Sequence, residues 1–189
     1  DGNYYVYGMT QPYAATDYVM YDTYMSKIGS SSTSTTDYGT DKDPLKEYVN
    51  NTGSKFSQAA SAGVADGIGG TEWDAARQKW GGEWRMPTNA EFGEIIDKNN
   101  CTWEKISMNG VKGWRIISKR NGNSIFLPNA GYRLSLRLDN AGECGNYWTS
   151  TPAEGSDSSA DWIGIQIGPG YDDWDAREQG YSLRPVIKF

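Results

Sequence analysis

Asp172-Asp173-Trp174-Asp175 crowds three carboxylates and an indole into four positions, directly after Tyr171. Oxygen donors this close together are a calcium question. The run lacks the alternation and the glycine of an EF-hand loop, so the expectation is an exposed acidic loop with no metal. Its aromatic residues suit another chemistry. Tyr171, Trp174 and the later Tyr181 stand among Gly, Ser and Asp, a mixture of rigid amphipathic anchors and adaptable hydrogen-bonding groups that binding surfaces use.

Residues for catalysis are scarce. The 189 residues contain no histidine, which removes the commonest proton shuttle, most hydrolytic triads and many metal sites. Cys101 and Cys144 are the only cysteines; they permit one disulfide and do not demand it. Glu94 and Asp97, three apart on an expected helix, are neighbouring surface charges more simply than an acid–base pair. No enzyme and no cofactor is expected. With 18 basic against 24 acidic residues and a formal charge of -6, the chain lacks a field that attracts a phosphate backbone, which argues against nucleic acid as a partner.

The elements that must position these residues follow from pattern and punctuation. No apolar run reaches membrane-spanning length, and the length suits one domain over 1–189. No signal peptide is visible at Asp1, and the first residues read as the middle of a longer precursor. Tyr4-Tyr5-Val6-Tyr7-Gly8 predicts a short strand, and the Ser/Thr/Gly-rich stretch 29–70 a long insertion with one weak helical candidate at 44–49. Thr71 is the expected N-cap of a helix whose apolar stripe is Trp73, Ala76 and Trp80, stopped by Gly81-Gly82. Thr88 and Glu91 predict a capping box for a second helix with Phe92, Ile95 and Ile96 inward. From Cys101 the period becomes two: strands are expected at 102–106, 114–118 and 124–127, turned at Asn109-Gly110 and Asn121-Gly122, and again at 147–150, 162–167 and 182–187. Two helices packed on short antiparallel strands give an α+β expectation. Trp73, Trp80, Trp84 and Trp148 are expected to be core or framework, and Arg85 and Arg184 to clamp loop carbonyls or a carboxylate.

Three segments carry a family likeness: Gly70-Thr71-Glu72-Trp73-Asp74-Ala75-Ala76-Arg77 running into Lys79-Trp80-Gly81-Gly82-Glu83-Trp84-Arg85-Met86-Pro87-Thr88, with Glu91-Phe92 after it; Asn123-Ser124-Ile125-Phe126-Leu127-Pro128-Asn129-Ala130-Gly131-Tyr132-Arg133; and Gly145-Asn146-Tyr147-Trp148-Thr149-Ser150-Thr151-Pro152 with the terminal Gly180-Tyr181-Ser182-Leu183-Arg184-Pro185-Val186. Together they resemble the Fibrobacter succinogenes major paralogous domain family, a C-type-lectin-like group found on exported bacterial surface proteins. The resemblance implies a C-type-lectin-like scaffold. Some members of that group look like the variable proteins of diversity-generating retroelements, including phage receptor-binding tips and pilus-tip adhesins, in which a C-terminal face varies.

Carried onto this sequence, the face covers 133–181. Its expected ligand contacts are Arg137 and Cys144, then Asp157, then Asp161, Trp162, Gly164 and Gln166 along a strand. Tyr171, Asp172, Asp173, Trp174 and Asp175 follow, with Glu178, Gln179 and Tyr181 at the end. No Trp-Asn-Asp accompanies Leu127-Pro128-Asn129, so a mannose-type calcium site is not expected, and the separated cysteines do not form the close redox pair of the oxidative members of the wider fold. The implied function is a non-enzymatic adhesin or receptor-binding module at a bacterial or phage surface, outside the cell, recognising a protein or glycan. A structural subunit of a surface fibre and a dedicated carbohydrate-binding module remain alternatives.

Overall fold

The computed structural model describes Tyr4, Tyr5 and Tyr7 and then residues 67–71, 73–134, 137–154, 159–166, 168–176 and 179–187. Most of the expected insertion at 29–70, its helical candidate included, lies outside the described residues. Among them, ten strands and two helices are formed. The helices span only six and eight residues, so the α+β expectation, with its lectin-like arrangement of helices on strands, is overturned in favour of a β-rich fold of small antiparallel sheets. The reason lies in segments expected to be loops. Leu134, Arg137 and Leu138 belong to a hairpin and the acidic run to a strand, because each finds backbone partners on a neighbour, and hydrogen-bonded pairing outweighs poor local β-propensity.

Helix α1, Ala75–Trp80, is capped by Asp74 rather than Thr71. The Asp74 carboxylate is fully buried and accepts the backbone N–H groups of Gly70, Ala76, Arg77 and Met86 at 2.7–3.2 Å. A buried charge needs such saturation, and two oxygens can serve it where one hydroxyl cannot. Thr71 bonds the Ile68 carbonyl instead. Ala76 is buried, whereas Trp80 stays 42% exposed, contrary to its expected place in the core. Helix α2, Asn89–Ile96, has the expected capping box between Thr88 and Glu91. Arg85 clamps that box, donating to both Glu91 carboxylate oxygens and to the Met86 carbonyl; Arg184 lies exposed.

Strand β1 (Trp84–Arg85) pairs with the last strand, β10 (Val186–Ile187). Strands β2 (Cys101–Met108), β3 (Val111–Ser118) and β4 (Ser124–Pro128) form the expected meander. The first turn places Asn109 at φ 51° and Gly110 at φ 82°, the left-handed pair that a two-residue hairpin requires. Strands β5 (Tyr132–Leu134) and β6 (Arg137–Asp139) make a short hairpin. The central sheet has the order β7 (Gly145–Pro152), β8 (Ser159–Ile165), β9 (Tyr171–Ala176). Tyr5 adds a backbone bridge to Tyr181, with reciprocal bonds of 2.7 and 3.0 Å.

Alternation along β7 and β8 divides the core into two layers. Trp148 pairs with Trp162 and faces a cluster of Tyr7, Ile68, Ala76, Met86 and Tyr181. Tyr147 pairs with Ile163 and faces Phe92, Trp114, Ile116 and Leu127. The central sheet is thus covered by α1 and the N-terminal residues on one side, and by α2 and the meander on the other. Among the described residues no helix is long and apolar enough to cross a membrane.

Candidate functional site

The site grows from a register. Gly164 of β8 stands opposite Tyr171 of β9, and Trp162 opposite Asp173. A Cβ at Gly164 would lie 2.6 Å from the Tyr171 ring and 2.7 Å from the Trp162 ring. Only glycine therefore lets Tyr171 lean across β8 onto Trp162, where the rings meet edge to face at 5.5 Å. Trp162 in turn meets Tyr181 at 5.3 Å, and Tyr181 is stacked on Trp148 at 4.4 Å. The stack anchors Tyr171 to the deepest part of the core while leaving it 48% exposed.

Around this stack opens a pocket of about 360 Å³. Its aromatic wall is Tyr132, Trp162, Tyr171 and Tyr181; its polar groups are the amides of Asn140, Asn146, Gln166 and Gln179, the Cys144 thiol and the Asp175 carboxylate. The Tyr181 hydroxyl donates to Asp175 Oδ2 at 2.6 Å. Among the described residues, two buried polar atoms on lining residues have no hydrogen-bond partner: the Trp162 Nε1–H, a donor, and Gln179 Oε1, an acceptor. Buried polar groups are nearly always paired, so an unpaired donor and an unpaired acceptor on two residues of one lining are groups that a ligand could pair.

Burial sets the electrostatics of the titratable lining groups. Burial pushes the Cys144 thiol up, helped by the charge of Glu143, so it stays protonated and a weak nucleophile. Burial raises the Tyr181 phenol far above its ordinary range, and the bond to Asp175 and that carboxylate's charge add to it; the hydroxyl is a permanent donor. Tyr171 is raised too, by burial first and then by Cys144, Asp173 and Tyr132.

Of the residues expected to touch ligand, Cys144, Trp162, Gln166, Tyr171, Asp175, Gln179 and Tyr181 line the pocket, and Gly164 underlies it. Trp162 and Tyr181 are core residues, 7% and 1% exposed, and serve as wall rather than as free anchors. The acidic run is strand β9, not a loop. Its alternation places Tyr171, Asp173 and Asp175 on the Trp162 side, and Asp172 and Trp174 on the other side beside Asp161. There, burial and the charge of Asp172 raise the Asp161 carboxyl. Trp174, 64% exposed, does not line the pocket. Arg137 is placed by its backbone pairing with Leu134 in the β5–β6 hairpin, while Asp157 and Glu178 lie outside the described residues.

Tyr132, Asn140 and Asn146 were not expected. Tyr132 and Asn146 fall in motif segments read as framework; period-two alternation from Asn146 to Trp148 was the available signal, since it puts the amide on the same face as the stacked indole. Asn140 sits at φ 55° just before a turn and carries no distinctive sequence signal.

A second hollow, of about 770 Å³, lies between the end of α2 and the turn joining β3 to β4. It is larger but its polar groups serve the fold: Asn100 donates to the Glu94 carbonyl and Lys119 to the Lys98 carbonyl. None of the unpartnered buried atoms belongs to its lining. Comparison of the chain with protein-family models, curated proteins and solved structures finds no match.

Proposed function

We propose that this chain is a non-enzymatic ligand-binding module of an exported bacterial or phage surface protein, acting outside the cell as an adhesin or receptor-binding unit through the pocket over Gly164. The observation that carries the reading is the half-exposed Tyr171, seated on Trp162 in a pocket that Asp175 also lines and whose residues carry an unpaired donor and an unpaired acceptor. Such a set binds and orients a ligand; with its thiol protonated and no imidazole in the chain, it offers no activated nucleophile. The motif resemblance supplies the surface location and the idea of a diversified face.

The test is capture. Fluorescently labelled protein is incubated with panels of intact bacterial and epithelial cells and read by flow cytometry. Wild type and a Trp80→Ala control should bind at least one panel equally, and Tyr171→Ala should lose about thirtyfold in affinity, the scale of a hot-spot residue. Absence of wild-type binding, or equal binding by Tyr171→Ala, refutes the reading. Programmed diversification has its own test in the coding DNA: a nearby copy of the region for 133–181 should differ at codons such as those of Asp161, Gly164, Tyr171 and Asp172, and only where the copy carries adenine. An identical copy refutes it.

A further inference from the structure

Resting on that reading, we propose that the pocket takes a neutral, hydroxyl-rich ring, a saccharide residue, held by the chain's own aromatic and amide groups. Four properties of the site converge on this class. The first is the pair of unpartnered atoms on lining residues: Trp162 Nε1–H requires an acceptor and Gln179 Oε1 a donor, and a ligand carrying several hydroxyls offers both. An ammonium group only donates and would leave the indole N–H unpaired; a phosphate or carboxylate only accepts and would leave the amide oxygen unpaired.

The second is charge. Asp175 lines the pocket and Asp173 projects from the same face of β9, while none of the described lining residues is Lys or Arg. An anionic ligand would be buried against a carboxylate without a counter-ion. The third is the lining itself. Asn140, Asn146, Gln166 and Gln179 each carry both a donor and an acceptor, which suits a ring presenting hydroxyls around its rim and is wasted on an apolar ligand. The ring of Tyr171 supplies an apolar surface for the C–H face of a sugar. The fourth is size: about 360 Å³ lies at the small end of ligand pockets, roughly 300–1,000 Å³, and admits one sugar ring or a short oligosaccharide end. Calcium need not take part, because alternation along β9 sends Asp172 to the opposite side from Asp173 and Asp175.

The experiment is a glycan array carrying neutral hexose oligosaccharides, sialylated and uronate-bearing glycans, and free amino sugars, probed in EDTA. Positive spots are followed by titration of the soluble glycan against tryptophan fluorescence. The inference predicts neutral spots alone, retained in EDTA and by Trp80→Ala. Tyr171→Ala should weaken them about thirtyfold and Asp175→Asn about tenfold, and circular dichroism should confirm that both variants are folded. Because Tyr171 is half exposed, its loss leaves the fold intact; should Asp175→Asn unfold, Gly164→Ala provides a second pocket variant through displacement of the Tyr171 ring. Binding only to acidic or amino glycans, loss in EDTA, or indifference to the pocket variants overturns the sugar assignment. So does a blank array. A blank array together with Tyr171-dependent cell capture that survives periodate oxidation of the cells overturns the sugar alone, and the ligand is then a protein. A blank array with no cell capture removes the binding reading as well.

Discussion

The two sides of the β7–β9 sheet bury similar aromatic material and finish it differently. On the α2 side the rings are sealed: Phe92 meets Tyr147 at 6.3 Å, the Tyr147 hydroxyl donates to the Pro128 carbonyl at 2.6 Å, and Trp103 Nε1 donates to the Ile95 carbonyl. On the α1 side Trp148 is equally well finished, its Nε1 donating to the Tyr5 carbonyl at 2.9 Å, but one residue across the sheet Trp162 is left open beside a cavity. An open indole N–H alone does not identify a site, since Trp114 Nε1 on the sealed side also lacks a partner. What separates the sides is coincidence: the residues lining the cavity at Trp162 carry an unpaired donor, an unpaired acceptor and a half-exposed ring. The same sheet thus acts as core on one face and as core grading into an aromatic-walled pocket on the other.

The comparison breaks first at Trp148, if the open side is a loose surface rather than a built core. Trp148 is fully buried and stacked on Tyr181, so Trp148→Ala should cost about 3–5 kcal/mol in urea unfolding, as large aromatic truncations do. A cost below about 1 kcal/mol would mean that the stack is not held as described. Gly164→Ala comes next. The added methyl group meets two rings at 2.6 and 2.7 Å, and overpacking of this kind costs about 1–3 kcal/mol. Tyr171 is the ring free to yield, so its contact with Trp162 should be lost; a near-UV circular dichroism spectrum unchanged from wild type would show that the register over Gly164 is wrong.

Much of this scaffold was legible. Asn109-Gly110 and the Thr88–Glu91 box are local devices whose chemistry is complete within a few residues, and both formed as read. Long-range competition was not legible. Asp74 displaced Thr71 as cap because Met86, twelve residues on, brings it a further N–H, and Trp80, the last residue of the short helix, stays exposed although Ala76 four residues earlier is buried. Strand β9, with three acids among its six residues, forms because β8 offers it hydrogen-bond partners, which no window of local sequence contains. Of the pocket residues, composition singled out Tyr171 and the acidic run and the resemblance added Gln179, but both treated the run as one loop, so they could not sort the residues between two faces.

The sealed side also carries the acid sensitivity. Hydrogen bonds from Arg85 hold the Glu91 carboxyl at about 2, against an ordinary value of 4.5. Glu91 therefore stabilises the fold in full above pH 4.5, and that contribution is lost as pH falls from 4.5 towards 2. Its side chain is 40% exposed, so solvent screening limits the effect to about 1 kcal/mol. Melting temperatures of wild type and Glu91→Gln should differ at pH 6 and converge by about pH 2. A constant gap would place the benefit in packing rather than in charge.

The smallest effect separates the faces most sharply. Trp174 is the most exposed large hydrophobic residue described, at 64%, and composition alone pairs it with Tyr171 as a joint anchor. In β9 the two are three residues apart, an odd number, so pleating sends them to opposite sides of the sheet: Tyr171 opposite Gly164 and Trp174 opposite Asp161. Trp174→Ala should change stability by less than about 0.5 kcal/mol and leave pocket affinity within about twofold, whereas Tyr171→Ala weakens it about thirtyfold. Equal loss from both variants would mean that ligand wraps the free edge of β9 and touches both faces, and the pocket would then be one part of a wider surface instead of the whole site.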